Sequence, residues 1–138
     1  MKYIGVKILE SASLMTRERY CKIRGWEVPA DENPTDEVYL VEYEPVEGEM
    51  SNVIGYAGYV SMSPKDVFEK AYRPADGLSF GLALEAMNEG FRVKVPEWTG
   101  YWFKEAGMVK VCTVEGNILE TPHFQQYVFR NDWSILEN

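Results

Sequence analysis

The chain is short of the groups that most small enzymes depend on. It has one histidine, His123 in ETPHFQQ, with no Ser or Cys nucleophile motif beside it. Catalytic triads, HExxH zinc sites and nucleoside-deaminase patterns all require more. Neither a GxxxxGKS phosphate loop nor a GxGxxG fingerprint is present. The two cysteines, Cys21 and Cys112, are far apart and outside any CxxC spacing, so they read as free, mostly buried thiols. No stretch approaches the roughly 18 to 20 apolar residues of a membrane span. MKYIGVKILESASLM carries charges inside its apolar run, unlike a signal peptide, and a cytosolic location is expected. Positive charge is scarce as well: 14 Lys and Arg against 22 Asp and Glu give a net charge of -8. Non-specific nucleic-acid binding needs cations to neutralise phosphates and is not expected here.

What the chain does have is apolar and aromatic mass. Of 138 residues, 46% are hydrophobic and 14% aromatic, enough to bury a core in one domain or two very small ones. Lys2 to Leu9 reads as a strand. Thr16 caps a short helix through RERYCKIR, which Gly25 closes. VPADENPTDE is acidic, Pro-containing connection, and VYLVEY (Val38 to Tyr43) is a strand. A long, mobile hairpin loop from Glu44 returns into a second strand near Tyr59 to Ser61. Ser63 as N-cap and Pro64 at the first helical position open SPKDVFEKAY, whose apolar face is Val67, Phe68, Ala71 and Tyr72.

PADGL, Pro74 to Leu78, is the best boundary, and it divides the chain into modules 1-74 and 75-138. Ser79 then caps FGLALEAMNE, and Gly90 stops it. Phe80, Ala83, Leu84, Met87 and Phe91 fall on one side of that helix. Beyond Gly90 the period changes to two, giving short strands in FRVKV, YWF, MVKVCTV and NILE, with turns at Ala106-Gly107 and Glu115-Gly116-Asn117. QYVFRNDWSIL is a candidate last strand. The expected class is α+β, with small antiparallel sheets each packed with one helix.

VPEWTGYWF, Val95 to Phe103, packs two tryptophans, a tyrosine and a phenylalanine around one Thr-Gly pair. In a strand Tyr101 and Phe103 point one way and Trp102 the other, so at least one large ring faces outward unless a second surface covers it. Such rings serve as core, as a subunit contact or as a stacking surface for a flat ligand. Glu97 and Asp132 are the carboxylates that flank these aromatics. Arg92, Lys94, Lys104, Lys110 and Arg130 are the nearby cations, either solvated or pairing with a ligand diphosphate.

SFGLALEAMNEGFRVKVPEWTGYWF, closed by Asp132-Trp133-Ser134-Ile135-Leu136, resembles the Thoeris anti-defence 2-like domain common in bacteriophages. The match covers about Leu78 to Leu136: a Phe-led helix, a Gly stop, a basic strand, then Trp and a Gly-bearing turn. RGWEVPADENP, YLVEY and SPKDVFEKAYRP resemble the leader module often fused to that domain. Where the family commonly has a basic-Gly-Trp-Asn-Gly run, this chain reads Val95-Pro96-Glu97-Trp98-Thr99-Gly100. The resemblance implies a sponge in the host cytoplasm. Such proteins hold cyclic ADP-ribose isomers, and in some relatives cyclic dinucleotides, without cleaving them, as homo-oligomers that are typically tetramers. It implies no cofactor and no catalysis.

By that resemblance Phe80, Trp98, Thr99, Gly100, Asp132 and Trp133 lie near the ligand. Trp98 stacks on the base, Thr99 bonds ribose or phosphate, and Asp132 takes a ribose hydroxyl. Strand direction alone adds Lys94 and Tyr101. The other reading of the chain is an acidic inhibitor that covers a basic host protein, with Asp31 to Asp36 at its contact.

Overall fold

A computed structural model of the chain describes residues 1–119 and 127–137, and the chain forms two compact units, Met1–Tyr72 and Arg73–Asn138. His123 lies outside the described residues. The class is α+β, with antiparallel sheets and helices packed on them.

In the first unit β1 (Leu9–Thr16), β2 (Glu37–Tyr43) and β3 (Val60–Pro64) form a sheet in the order β1-β2-β3. Alternation along β2 sends Val38 and Leu40 into a core with Tyr20 and Ile23 of α1 (Arg17–Arg24). Tyr39 stacks instead on Phe68 of α2 (Lys65–Ala71), with ring centroids 4.1 Å apart. This sheet therefore carries two helices where one per sheet is expected. Thr16 caps α1 by accepting a hydrogen bond from the Arg19 amide, and Gly25 closes it in the left-handed conformation.

Three local expectations shift. The first strand begins at Leu9 rather than ending there. Ladder length is set by β2, whose Tyr43 pairs with Leu9 and whose Glu37 pairs with Thr16, so residues 1–8 have no strand to meet. Ser63 stays in β3 opposite Tyr39, and the sheet pairing runs on to Pro64, which becomes the N-cap of α2 without a side-chain cap bond. None of α2 is fully buried, although Phe68 stacks on both Tyr39 and Tyr72.

The return loop from Glu44 is tied down in its second half. Buried Glu42, 7% exposed, accepts from the Ala57 and Gly58 amides at 2.8 and 3.0 Å and from the Ser11 hydroxyl at 2.9 Å. The Asn52 amide group bonds both the N–H and the C=O of Val60, at 2.7 and 2.9 Å, standing in for a neighbouring strand. At Gly58 a Cβ would sit 1.8 Å from the Tyr43 carbonyl oxygen, so the chain can turn here only without a side chain.

The second unit contains α3 (Phe80–Asn88), β4 (Val93–Lys94), β5 (Tyr101–Glu105), β6 (Met108–Cys112), β7 (Ile118–Leu119) and β8 (Ser134–Ile135). Its sheet order is β7-β6-β5-β4-β8. The Ser79 hydroxyl caps α3 by accepting from the Leu82 amide. The Ala106-Gly107 turn has φ of 54° and 76°, the pair of positive angles a two-residue hairpin turn needs. Ala83, Ala86 and Met87 of α3 are buried against Val93, Val95, Trp102 and Trp133, whereas Leu84 faces outward. The buried stripe of α3 thus runs through Ala86 rather than Leu84.

Candidate functional site

The aromatic run resolves into two populations. Trp133 is 0% exposed and Trp102 4%, and both lie inside the core of the second unit. The indole N–H of Trp133 donates to the Tyr127 carbonyl at 3.2 Å, so its one polar atom is satisfied inside the protein. Phe80 packs on both indoles, 5.3 Å from Trp133 and 6.4 Å from Trp102 between ring centroids. These three rings belong to the fold.

Trp98 is different. It is half-buried, with its ring edge-on to Trp133 at 5.2 Å and to Tyr127 at 4.8 Å, and tilted against Trp102 at 4.8 Å. Its remaining surface lines an open cleft of about 420 Å³. One wall is the turn and strand start from Glu97 to Trp102, and the other is Val111 to Glu115, the end of β6 and the turn after it. The volume falls within the range of small-molecule sites.

Gly100 is what lets the two walls meet. A Cβ there would lie 2.1 Å from the Cys112 carbonyl oxygen, so only glycine permits this approach of the turn to β6. Across the hairpin Tyr101 pairs with Cys112, which brings Thr113 and its turn alongside the Thr99-Gly100 bend. Cys112 is buried, and its thiol donates to the Thr113 carbonyl at 3.6 Å.

Of the eight residues expected near a ligand, Trp98, Thr99, Gly100 and Tyr101 line the cleft. Phe80, Lys94, Asp132 and Trp133 do not. Trp133 and Phe80 are occupied by the core. Asp132 has both carboxylate oxygens on Arg130, one from Nε at 2.8 Å and one from Nη2. Lys94 follows Val93, which points into the core opposite Trp102, so strand alternation sends Lys94 to the other face of the sheet. On that face Arg92 lies over the Tyr101 ring, 4.9 Å from its centroid.

Arg130 does more than hold Asp132. Its guanidinium also grips both oxygens of Glu97, with Nη2 to Oε2 at 2.9 Å and Nη1 to Oε1. The two flanking carboxylates therefore share one cation. Arg130 holds both Glu97 and Asp132 below the usual carboxylate range through these hydrogen bonds, and its own pKa is raised by the same contacts. Neither is placed to act as a general acid near neutral pH. Among the described residues no group of three or more His, Cys, Asp or Glu is placed to hold a metal ion.

Among the described residues the lining contains two carboxylates, Glu97 and Glu115, and no Lys or Arg. The wall from Val111 to Glu115 was absent from the expected site. Its signal lay in the Ala106-Gly107 turn, because fixing that turn fixes which residues of β6 face Trp98 to Tyr101. In the first unit Arg17 bonds Glu32 at 2.9 Å and lies 4.0 Å from Asp36, so part of the acidic 31–36 loop is engaged by its own helix.

No family model matches the chain, and no curated protein matches it. No helix among the described residues is long and apolar enough to cross a membrane.

Proposed function

We propose that the protein is a binding protein that sequesters a cyclic nucleotide messenger, a cyclic ADP-ribose isomer or a cyclic dinucleotide, in the Trp98 cleft. It acts in the cytoplasm of a bacterial host as an anti-defence sponge and leaves the ligand intact. The observation that carries this reading is the cleft itself, about 420 Å³ and walled by Trp98 on one side and the Cys112–Glu115 turn on the other. Base stacking on an aromatic side chain contributes roughly 1–3 kcal/mol. Thr99 and Thr113 bring hydroxyls to the same opening. With no cation among the described lining residues, the base enters first and the phosphates stay at the solvent-facing mouth.

The resemblance of residues 78–136 to the Thoeris anti-defence 2-like domain supplies the ligand class and an oligomeric state, a homo-tetramer. Among the described lining residues there is no nucleophile–base pair, which supports binding over turnover. Calorimetric titration of the purified chain with cyclic ADP-ribose isomers and cyclic dinucleotides tests the reading. A saturable signal, followed by release of unaltered nucleotide on heating, is expected. No binding to any of them, or release of a cleaved product, overturns it.

A further inference from the structure

The two carboxylates of the cleft are not equivalent. Glu97 has both oxygens on the Arg130 guanidinium, so its acceptors are already engaged. Glu115 is exposed, and its carboxylate has no hydrogen bond or ion pair among the described residues. Its backbone, by contrast, is fixed. Glu115 sits in a turn closed by the Gly116 amide, which donates to the Thr113 carbonyl at 2.9 Å, and the Asn117 amide donates to the Thr113 hydroxyl at 3.1 Å. Gly116 takes the positive φ of 87° on which the turn ends. Tyr101 with Cys112 is the pair at which the β5–β6 ladder stops. Trp98 stands three residues before Tyr101 and Glu115 three after Cys112, on the two segments that part there to form the cleft walls. The stacking ring and the free carboxylate are thus carried equal steps out from the joint of the walls.

The chemistry of the lining narrows what Glu115 can receive. An ionised carboxylate only accepts hydrogen bonds, and like charge keeps a phosphate away from it. With a base on Trp98, the donors next along a nucleotide are the ribose hydroxyls. A vicinal pair of them matches the two carboxylate oxygens, one O–H to each, in strong charge-assisted bonds.

We infer that Glu115 determines which ligand the cleft takes, by accepting from both hydroxyls of a free vicinal diol on the ligand's ribose. The inference rests on the Trp98 cleft being a nucleotide site, and it goes further by ranking the nucleotides. A cyclic ADP-ribose isomer has two riboses, and closing its ring through a single hydroxyl leaves at least one vicinal diol free. In a 3′–5′ cyclic dinucleotide every 3′-oxygen is in a phosphodiester, so only isolated 2′-hydroxyls remain. Glu115 therefore favours the first class over the second.

Calorimetric titration of the full chain, wild type against Glu115→Gln, tests it with three kinds of probe. These are the cyclic ADP-ribose isomers, deoxy analogues of the tightest isomer with one hydroxyl of a free pair replaced by hydrogen, and 3′–5′ cyclic di-AMP. Glutamine keeps the size of the side chain at an exposed position, and circular dichroism with a melting curve checks that the variant is folded. The wild type is expected to bind an isomer at least about tenfold tighter than cyclic di-AMP, and Glu115→Gln should lose at least about tenfold on that isomer. One deoxy analogue should already be about tenfold weaker in the wild type and lose less than about threefold more in the variant. The sign is diagnostic. Removing a negative charge beside a ligand diphosphate would tighten binding through the field alone, so a loss reports direct contact. An isomer affinity unchanged or improved in Glu115→Gln overturns the inference. So does an equal loss on the isomer and all its deoxy analogues, or a wild type whose tightest ligand is cyclic di-AMP. Each of these results leaves the cleft a nucleotide site, whereas no binding of any probe removes that reading and this inference with it.

Discussion

Glu97, in the turn between β4 and β5, and Asp132, just before β8, are clasped by the single guanidinium of Arg130. Glu97 opens the turn that carries Trp98, and Asp132 immediately precedes Trp133 in the core. Arg130 thus ties a cleft-lining turn to the most deeply buried indole of the unit. Exposed ion pairs contribute little to global stability, so this clasp acts chiefly on the order of the turn. Arg130→Ala is expected to leave Tm almost unchanged while weakening ligand binding by about tenfold, an entropy cost that the clasp otherwise removes before binding. Arg130→Lys should recover little of that loss, because an ammonium cannot make the forked contacts. Calorimetry beside a melting curve separates the two effects, and an equal loss in both would refute the assignment.

Trp98 and Trp133 separate fold from site. Trp133→Ala removes a fully buried indole from the core and should cost about 3–5 kcal/mol. Trp98→Ala, at a half-buried position, should cost clearly less stability but lower nucleotide affinity at least about tenfold through lost stacking. Denaturant unfolding and binding titrations on the two variants check the crossing pattern. If the Trp98 variant melts like the Trp133 variant, Trp98 is core and the cleft has lost its floor.

Gly100 gives a third check, on the joint between the cleft walls. Its added Cβ would meet the Cys112 carbonyl oxygen at 2.1 Å, a backbone atom that cannot step aside cheaply. Gly100→Ala should destabilise the unit by about 2 kcal/mol and open the cleft. Gly77→Ala, whose Cβ meets nothing closer than 3.9 Å, should be nearly silent in the same unfolding experiment.

How much of this was legible beforehand depends on how local the signal was. Thr16, Gly25, Ser79 and the Ala106-Gly107 turn act within a few residues of themselves, and each does what its residue type dictates. The strand at Leu9–Thr16 was hidden because LESASLMT lacks apolar alternation; it is a strand through its pairing with β2, a non-local cause. Leu84 and Ala86 exchanged roles for a related reason. Periodicity gives a face, but the tight approach of α3 to Trp102 and Trp133 selects the smaller side chain. At the site, the run of rings around Thr99-Gly100 was legible as a stretch of sequence, and Trp98, Thr99 and Gly100, named through the resemblance, and Tyr101, named from strand direction, border the cleft. Asp132, also named through the resemblance, has both oxygens on Arg130, a pairing that nothing in the sequence indicates.

Glu42 offers a test through pH. It is a buried carboxylate whose pKa is lowered, first by the hydrogen bond from the Gly58 amide, with further lowering from Ser11 and Ala57, against an opposing effect of burial. A depressed carboxylate pKa contributes stability that is fully present above the unfolded-state value. It is lost as pH falls through the folded-state value, because the protonated acid no longer accepts these bonds as a charge. Glu42→Gln keeps the size but gives up the ionised acceptor. Its Tm should therefore lie well below wild type at pH 7, and the gap should narrow as pH drops below about 4. Glu42→Ala, which strands two backbone N–H groups under the loop, should cost about 2 kcal/mol, much of it persisting in acid. A wild-type-to-Gln gap that stays constant from neutral to acid pH would mean that Glu42 holds the Ser51–Gly58 loop by shape alone.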